Sequence, residues 1–216
     1  MKNDKRAIRD RILVAALTHV AFDGWTRRTL KAGVRDAGMG PDMALRAFPG
    51  GIPELVDHWA DWADRRMLEN LAAQDLAAMR IRDRIAAAVK ARLRVMDPHP
   101  EAARRLFAYL ALPPNAPLAA RLTWRTVDAM WYAAGDEASD FNYYTKRGLL
   151  VPVYTTTALY WLADASDGHA DTWAYLDRRI ADVMKVPAIM SRIKAALSSL
   201  PSLLTRPSKI FRRARG

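Results

Sequence analysis

Apolar residues recur at steps of three and four along most of this chain, and no stretch alternates apolar and polar residues as a strand would. That periodicity confines it to an all-α architecture. The first segment, residues 4–22, puts Ile8, Ile12, Leu13, Ala16, Leu17 and Val20 on one face and is closed by Gly24. Thr26 opens a short second helix through Leu30, Val34 and Ala37, ended by Gly38, and residues 41–48 form a third with Pro41 in its first turn. After Pro49, Gly50 and Gly51, longer helices are predicted from Pro53 through Trp59 to Met67, then over 80–96, 101–112 and 116–134. One more runs from Ser139 to about Ala163 with a kink at Pro152, and a last one covers 170–185. Three domains are expected: a three-helix unit over 1–50, a larger helical bundle over 51–186, and a tail over 187–216.

Charge and composition narrow the function. The chain has 216 residues and no cysteine, which removes disulfides, thiolate metal sites and thiol nucleophiles. Its charged N-terminus, with Lys2, Asp4, Lys5, Arg6 and Arg9, lacks the apolar stretch of a signal peptide, and no apolar run approaches the ~20 residues needed to span a bilayer. Net charge is +11, yet the last acid is Asp182, and the eight cations beyond it leave only +3 for the body. A polyanion would be expected to meet the tail first.

The three short N-terminal helices have the layout of a helix-turn-helix. From Gly38 to Phe48 the chain resembles the reading helix of the TetR regulators, but the residues there are Pro41, Asp42, Met43, Ala44, Leu45 and Arg46. Asp42 repels phosphates, and Met43 and Leu45 offer no hydrogen bond to a base edge. Specific DNA binding is therefore not expected. Arg27, Arg28, Lys31 and Arg35 remain as a row that could face phosphates, or simply water.

A cluster of aromatic and charged residues runs from Asp128-Ala129-Met130-Trp131-Tyr132 through Asp140-Phe141-Asn142-Tyr143-Tyr144 to Lys146-Arg147, with Asp171-Thr172-Trp173 and Arg179 further on. Individually its aromatics can be core. Together they gather the Trp, Tyr and Arg typical of interface hot spots at one helical corner. These motifs, with Gly24-Trp25-Thr26 and Leu112-Pro113, strongly resemble the coenzyme Q biosynthesis accessory protein family. The resemblance implies a TetR-like fold that holds a lipid or isoprenoid quinone precursor and recruits the demethoxyubiquinone di-iron hydroxylase. Carried over onto this chain, the partner surface is Met130, Trp131, Asp140, Asn142, Tyr143, Tyr144 and Arg147. Tyr143 stands where eukaryotic members often have Trp. Because the short N-terminus lacks the transit segment of those members, a bacterial protein is expected, cytoplasmic and peripheral on the inner membrane.

Candidate linings of the apolar pocket are Leu93, Met96, Leu106, Phe107, Leu110, Leu149, Val153, Leu159 and Trp161, all at apolar periodic positions that also suit an ordinary core. The tail carries an apolar stripe of Ile189, Met190, Ile193, Ala196, Leu197 and Leu200 flanked by Arg192 and Lys194, the pattern of a helix lying in a membrane interface. Packing on the body, or on a second copy in a homodimer, is the alternative. His19, His58, His99 and His169 are scattered, no Glu-x-x-His pair or nucleotide-binding loop occurs, and no catalytic residue, metal ligand or cofactor is assigned. The function expected is a non-catalytic accessory role, presenting a quinone precursor to the hydroxylase at a membrane surface. The rivals are a TetR-like regulator with a hydrophobic ligand and a peripheral scaffold without one.

Overall fold

The computed structural model describes the backbone of residues 2–136 and 141–198 and the side-chain surroundings of residues 4–136 and 143–185. Its helices are α1 (Lys2–Asp23), α2 (Arg27–Asp36), α3 (Met43–Ala47), α4 (Ile52–Ala72), α5 (Ile81–Arg94), α6 (Pro100–Leu110), α7 (Ala116–Ala133), α8 (Phe141–Ala163) and α9 (Ala170–Ser198). No strand occurs among the described residues. Two compact units emerge, Met1–Ile180 and Ala181–Gly216, with α9 beginning in the first. No boundary falls at residue 50, because α1 packs against α4 and α6 as well as against its neighbours α2 and α3.

Local chemistry explains most ends. Gly24 and Gly38 adopt φ of +68° and +73°, as their positions after α1 and α2 require. Thr26 caps α2 by accepting from the Thr29 amide at 3.3 Å. The third helix is shorter than its expected span of 41–48, since Pro41 and Asp42 are turn residues. Pro152 lies inside α8, where the Thr155 and Thr156 hydroxyls donate to the Val151 and Pro152 carbonyls at 2.7 Å. The expected stop before Pro187 does not occur, because α9 continues to Ser198 and forgoes only the one backbone bond a proline cannot make. The expected start of α8, Ser139, lies outside the described residues.

The predicted face of α1 is the buried one: Ile12, Leu13, Ala16, Leu17 and Val20 are at most 1% exposed. Phe48 is fully buried under the Arg9 guanidinium, and Trp25 stacks on Trp59 of α4 with ring centroids 5.2 Å apart. Asp10 of α1 reaches both His58 and Arg65 of α4, each at 2.7 Å. Deeper in the bundle, Asp64 of α4 accepts from Arg92 Nε of α5 at 2.8 Å and from the Thr126 hydroxyl of α7 at 2.9 Å. A buried charge survives only when paired in this way.

Helices α1 and α2 touch at Gly33, where an added Cβ would lie 2.6 Å from Ala16 Cβ and 2.9 Å from the Ile12 carbonyl oxygen. Gly33→Ala is expected to destabilise the protein by about 1–3 kcal/mol, since neither contact can yield without shifting a helix. Urea unfolding checks this, and an unchanged midpoint would refute so close a contact.

Candidate functional site

The corner between α7 and α8 grows from a single turn. Gly135, with φ of +86°, ends α7; its amide donates to the Tyr132 carbonyl and the next amide, that of Asp136, to the Trp131 carbonyl, both at 3.0 Å. This is the pair of bonds a left-handed glycine makes possible after a helix. Arg84 of α5 closes the same end by donating to the Ala134 carbonyl at 3.0 Å. Reversal of the chain here brings the Asp136 side chain back to α8, where it is only 4% exposed.

Arg147 of α8 completes the corner. Its Nε donates to Asp128 Oδ1 at 2.6 Å and its Nη1 to Asp136 Oδ2 at 2.9 Å, while its guanidinium carbon lies 3.4 Å from the Tyr143 ring centroid. Lys146 Nζ bonds the other Asp136 oxygen at 2.5 Å. Burial opposes the charge on Asp136, yet the bonds from Lys146 and Arg147 outweigh it and hold its pKa below the ordinary 3.8. Tyr143 donates its hydroxyl to Asp128 at 2.9 Å, which raises the pKa of that hydroxyl. The indole of Trp131 donates to the Lys146 carbonyl at 3.1 Å, a further tie between α7 and α8.

Of the residues expected to meet a partner, Tyr144 is 63% exposed, whereas Trp131 and Tyr143 are half-buried. Met130 is fully buried and Arg147 is 3% exposed; both hold the corner from inside, so a direct contact is corrected to a supporting position. Asp140 and the side chain of Asn142 lie outside the described residues. Sequence reasoning passed over Tyr132, which is 75% exposed, and Trp124, whose ring stacks on Tyr144 with centroids 6.3 Å apart. A signal was present: Leu122, Thr126, Val127, Met130 and Ala134 form the buried stripe of α7, which turns 124, 128 and 132 outward.

The expected pocket linings divide. Leu93, Met96, Leu106, Val153 and Trp161 are buried, Phe107, Leu110 and Leu149 are half-buried, and Leu159 is 52% exposed. Leu159 therefore lies on the surface rather than in an interior lining. The Trp161 indole donates to Asp97 at 3.1 Å. The bundle interior also holds the Asp64–Arg92 pair, whose Arg92 Nη1 is buried without a hydrogen-bond partner. The side chains of Ile189, Met190, Arg192, Ile193, Lys194, Leu197 and Leu200 lie outside the described residues. Among the described residues no helix is long and apolar enough to cross a membrane.

The family described as COQ9 matches residues 116–187, the segment that contains this corner. The chain is 34% identical over 200 residues to the mitochondrial ubiquinone biosynthesis protein COQ9 of Rattus norvegicus, a match covering 89% of this chain and 64% of that protein. The Homo sapiens protein of the same name is 32% identical, covering 89% of this chain and 63% of its own length. The Drosophila melanogaster protein is 34% identical, with 86% and 58% covered. The chain thus spans somewhat less than two thirds of these relatives. Among solved structures, the TetR transcriptional regulator of Nitrosomonas europaea superposes with a TM-score of 0.67 at 20% identity, over 82% of this chain and 98% of that one, which establishes the TetR-like fold. The relatives are named mitochondrial, as is the Dictyostelium discoideum protein, and this overturns the expectation of a bacterial protein in the cytoplasm on an inner membrane.

Asp136→Asn removes one of the two carboxylates that neutralise Arg147 and is expected to cost about 3 kcal/mol, the penalty for leaving a buried cation half-paired. Because the folded-state pKa of Asp136 is lowered, its contribution is full above the ordinary 3.8 and disappears as pH falls below it. Wild-type stability should therefore drop on acidification through that range, and the drop should shrink in Asp136→Asn. Parallel pH dependences of the two proteins in urea titrations would contradict the pairing.

Proposed function

Because this chain belongs to the COQ9 family, we propose that it is a non-catalytic accessory protein of ubiquinone biosynthesis, which binds a lipid or isoprenoid quinone precursor and presents it to the demethoxyubiquinone hydroxylase at a membrane surface. The observation that carries this reading is the α7–α8 corner. Tyr132 and Tyr144 stand exposed on a support tied by Arg147, Asp128 and Asp136, so large aromatic side chains are displayed with little freedom left to lose on binding. Rigid, exposed aromatics beside buried charge are what a protein partner can use as anchors. A quinone precursor with a long isoprenoid tail has almost no aqueous concentration, so delivery from protein or membrane would control turnover.

The buried residues Leu93, Met96, Leu106, Val153 and Trp161 are the proposed neighbours of the ligand tail, and the stripe from Ile189 to Leu200 is the proposed membrane contact. Native mass spectrometry of the full chain should carry the mass of a long-chain lipid. A spectrum of folded, ligand-free protein purified from its own host would remove the lipid arm. Ile193→Ser with Leu197→Ser should weaken sedimentation with anionic vesicles while every cation is kept, because burial of each apolar side chain contributes roughly 1.5–3 kcal/mol. Undiminished sedimentation would move the contact away from the stripe.

Tyr132→Ala combined with Tyr144→Ala tests the partner arm. Both side chains are largely exposed, so the unfolding midpoint should barely move. Capture of the purified hydroxylase should weaken by about 2–4 kcal/mol if the two act as hot spots. Wild-type affinity in the double variant would detach the hydroxylase from this corner.

A further inference from the structure

Charge in the described body is not spread evenly. Residues 1–50 hold ten Lys and Arg against five Asp, whereas residues 51–182 hold sixteen against eighteen acids. The excess of the N-terminal unit is displayed on α2. Its inward face is Thr29, Leu30, Gly33 and Val34, all buried, and its outward face is Arg27, Arg28, Lys31 and Arg35, all exposed. Together with His19 and Asp23 of α1, these four cations line an open groove of about 580 Å³.

The acids nearby only partly neutralise it. Asp23 meets Arg28 at 3.5 Å, and Asp36 is shared between Arg35 at 2.8 Å and His19 at 2.5 Å. Arg27 and Lys31, one turn apart, form no ion pair among the described residues. Two arginines also open α2 with no acid in its first turn. That arrangement is the reverse of what helix stability favours, because the amides of a helix start already present partial positive charge. A cost of this kind is retained where the surplus charge has a use, and an anion gains from side chains and helix start together.

The neighbouring apolar residues indicate which anion. Phe22, between the groove residues His19 and Asp23, is 84% exposed, and Leu45 on α3 is 76% exposed beside Arg46. Phenylalanine and leucine gain nothing from a phosphodiester backbone in water, and Asp42 opposes one. Beside a row of cations, however, they match a bilayer interface, with acyl chains below and phosphates at the cations' height. We propose that the outer face of α2, with Phe22, is a second lipid-docking surface that binds the phosphates of anionic phospholipids. It is independent of the C-terminal stripe and of the hydroxylase surface.

The chain's lack of cysteine allows a local test. Phe22→Cys in the full chain, labelled with an environment-sensitive fluorophore, is mixed with phosphatidylcholine vesicles with and without cardiolipin. The dye should brighten and shift to the blue only on the anionic vesicles, and lipids brominated along the acyl chain should quench it. In a background of Ile193→Ser and Leu197→Ser, chosen to weaken the proposed C-terminal contact, Arg27→Gln with Lys31→Gln should lower the remaining vesicle affinity roughly 25-fold, at about fivefold for each cation. A dye that stays in water while the full chain sediments with cardiolipin vesicles would overturn the proposal, whatever the stripe does. So would an unchanged affinity in the Gln variant, or tighter binding to duplex DNA than to vesicles at equal phosphate concentration and physiological salt.

Discussion

The Arg147 guanidinium, almost wholly buried between Asp128 and Asp136, is the interaction on which the α7–α8 corner of the bundle depends. Removing an arginine from water costs several kcal/mol unless its donors find acceptors in good geometry. Here they find one carboxylate from α7 and one from the glycine turn that follows it, so the cation is compensated only when the turn and both helices are in register. The Tyr143 ring closes over the same guanidinium, and Trp131 bonds across to the Lys146 carbonyl. The consequence for function is that Tyr132 and Tyr144 are displayed by a support that has few alternatives.

A similar rule operates inside the bundle. Asp64, Arg92 and Thr126 join α4, α5 and α7 through one buried carboxylate, and the interior they occupy is polar at that point. Polar centres of this kind fix which helix faces meet, at a price in desolvation that apolar packing does not carry. The described surface then separates two chemistries: aromatics at the α7–α8 corner and cations along α2.

Much of the architecture was legible in the sequence. The burial of Ile12, Leu13, Ala16, Leu17 and Val20 follows from their spacing, and Gly24, Gly38 and Gly135 mark helix ends because only a residue without Cβ takes positive φ cheaply. Proline misled at position 187, since a continuing helix loses one bond there and keeps the rest. The corner was legible as a cluster but not in its roles. Arg and Tyr look like contact residues in a sequence, and only the placement of Asp136 by the Gly135 turn shows that Arg147 faces inward. The charge of the body was hidden by averaging, because a near-neutral total conceals a basic N-terminal unit joined to a slightly acidic bundle.

The proposed hydroxylase-binding surface is the α7–α8 corner. Hydrogen exchange of the full chain, measured with and without the purified hydroxylase, reads that surface directly. Slowed exchange is expected in peptides spanning residues 124–150, with α3 and the outer face of α2 unaffected. Protection confined to other helices, with the corner exchanging at its free rate in a saturated complex, would contradict it.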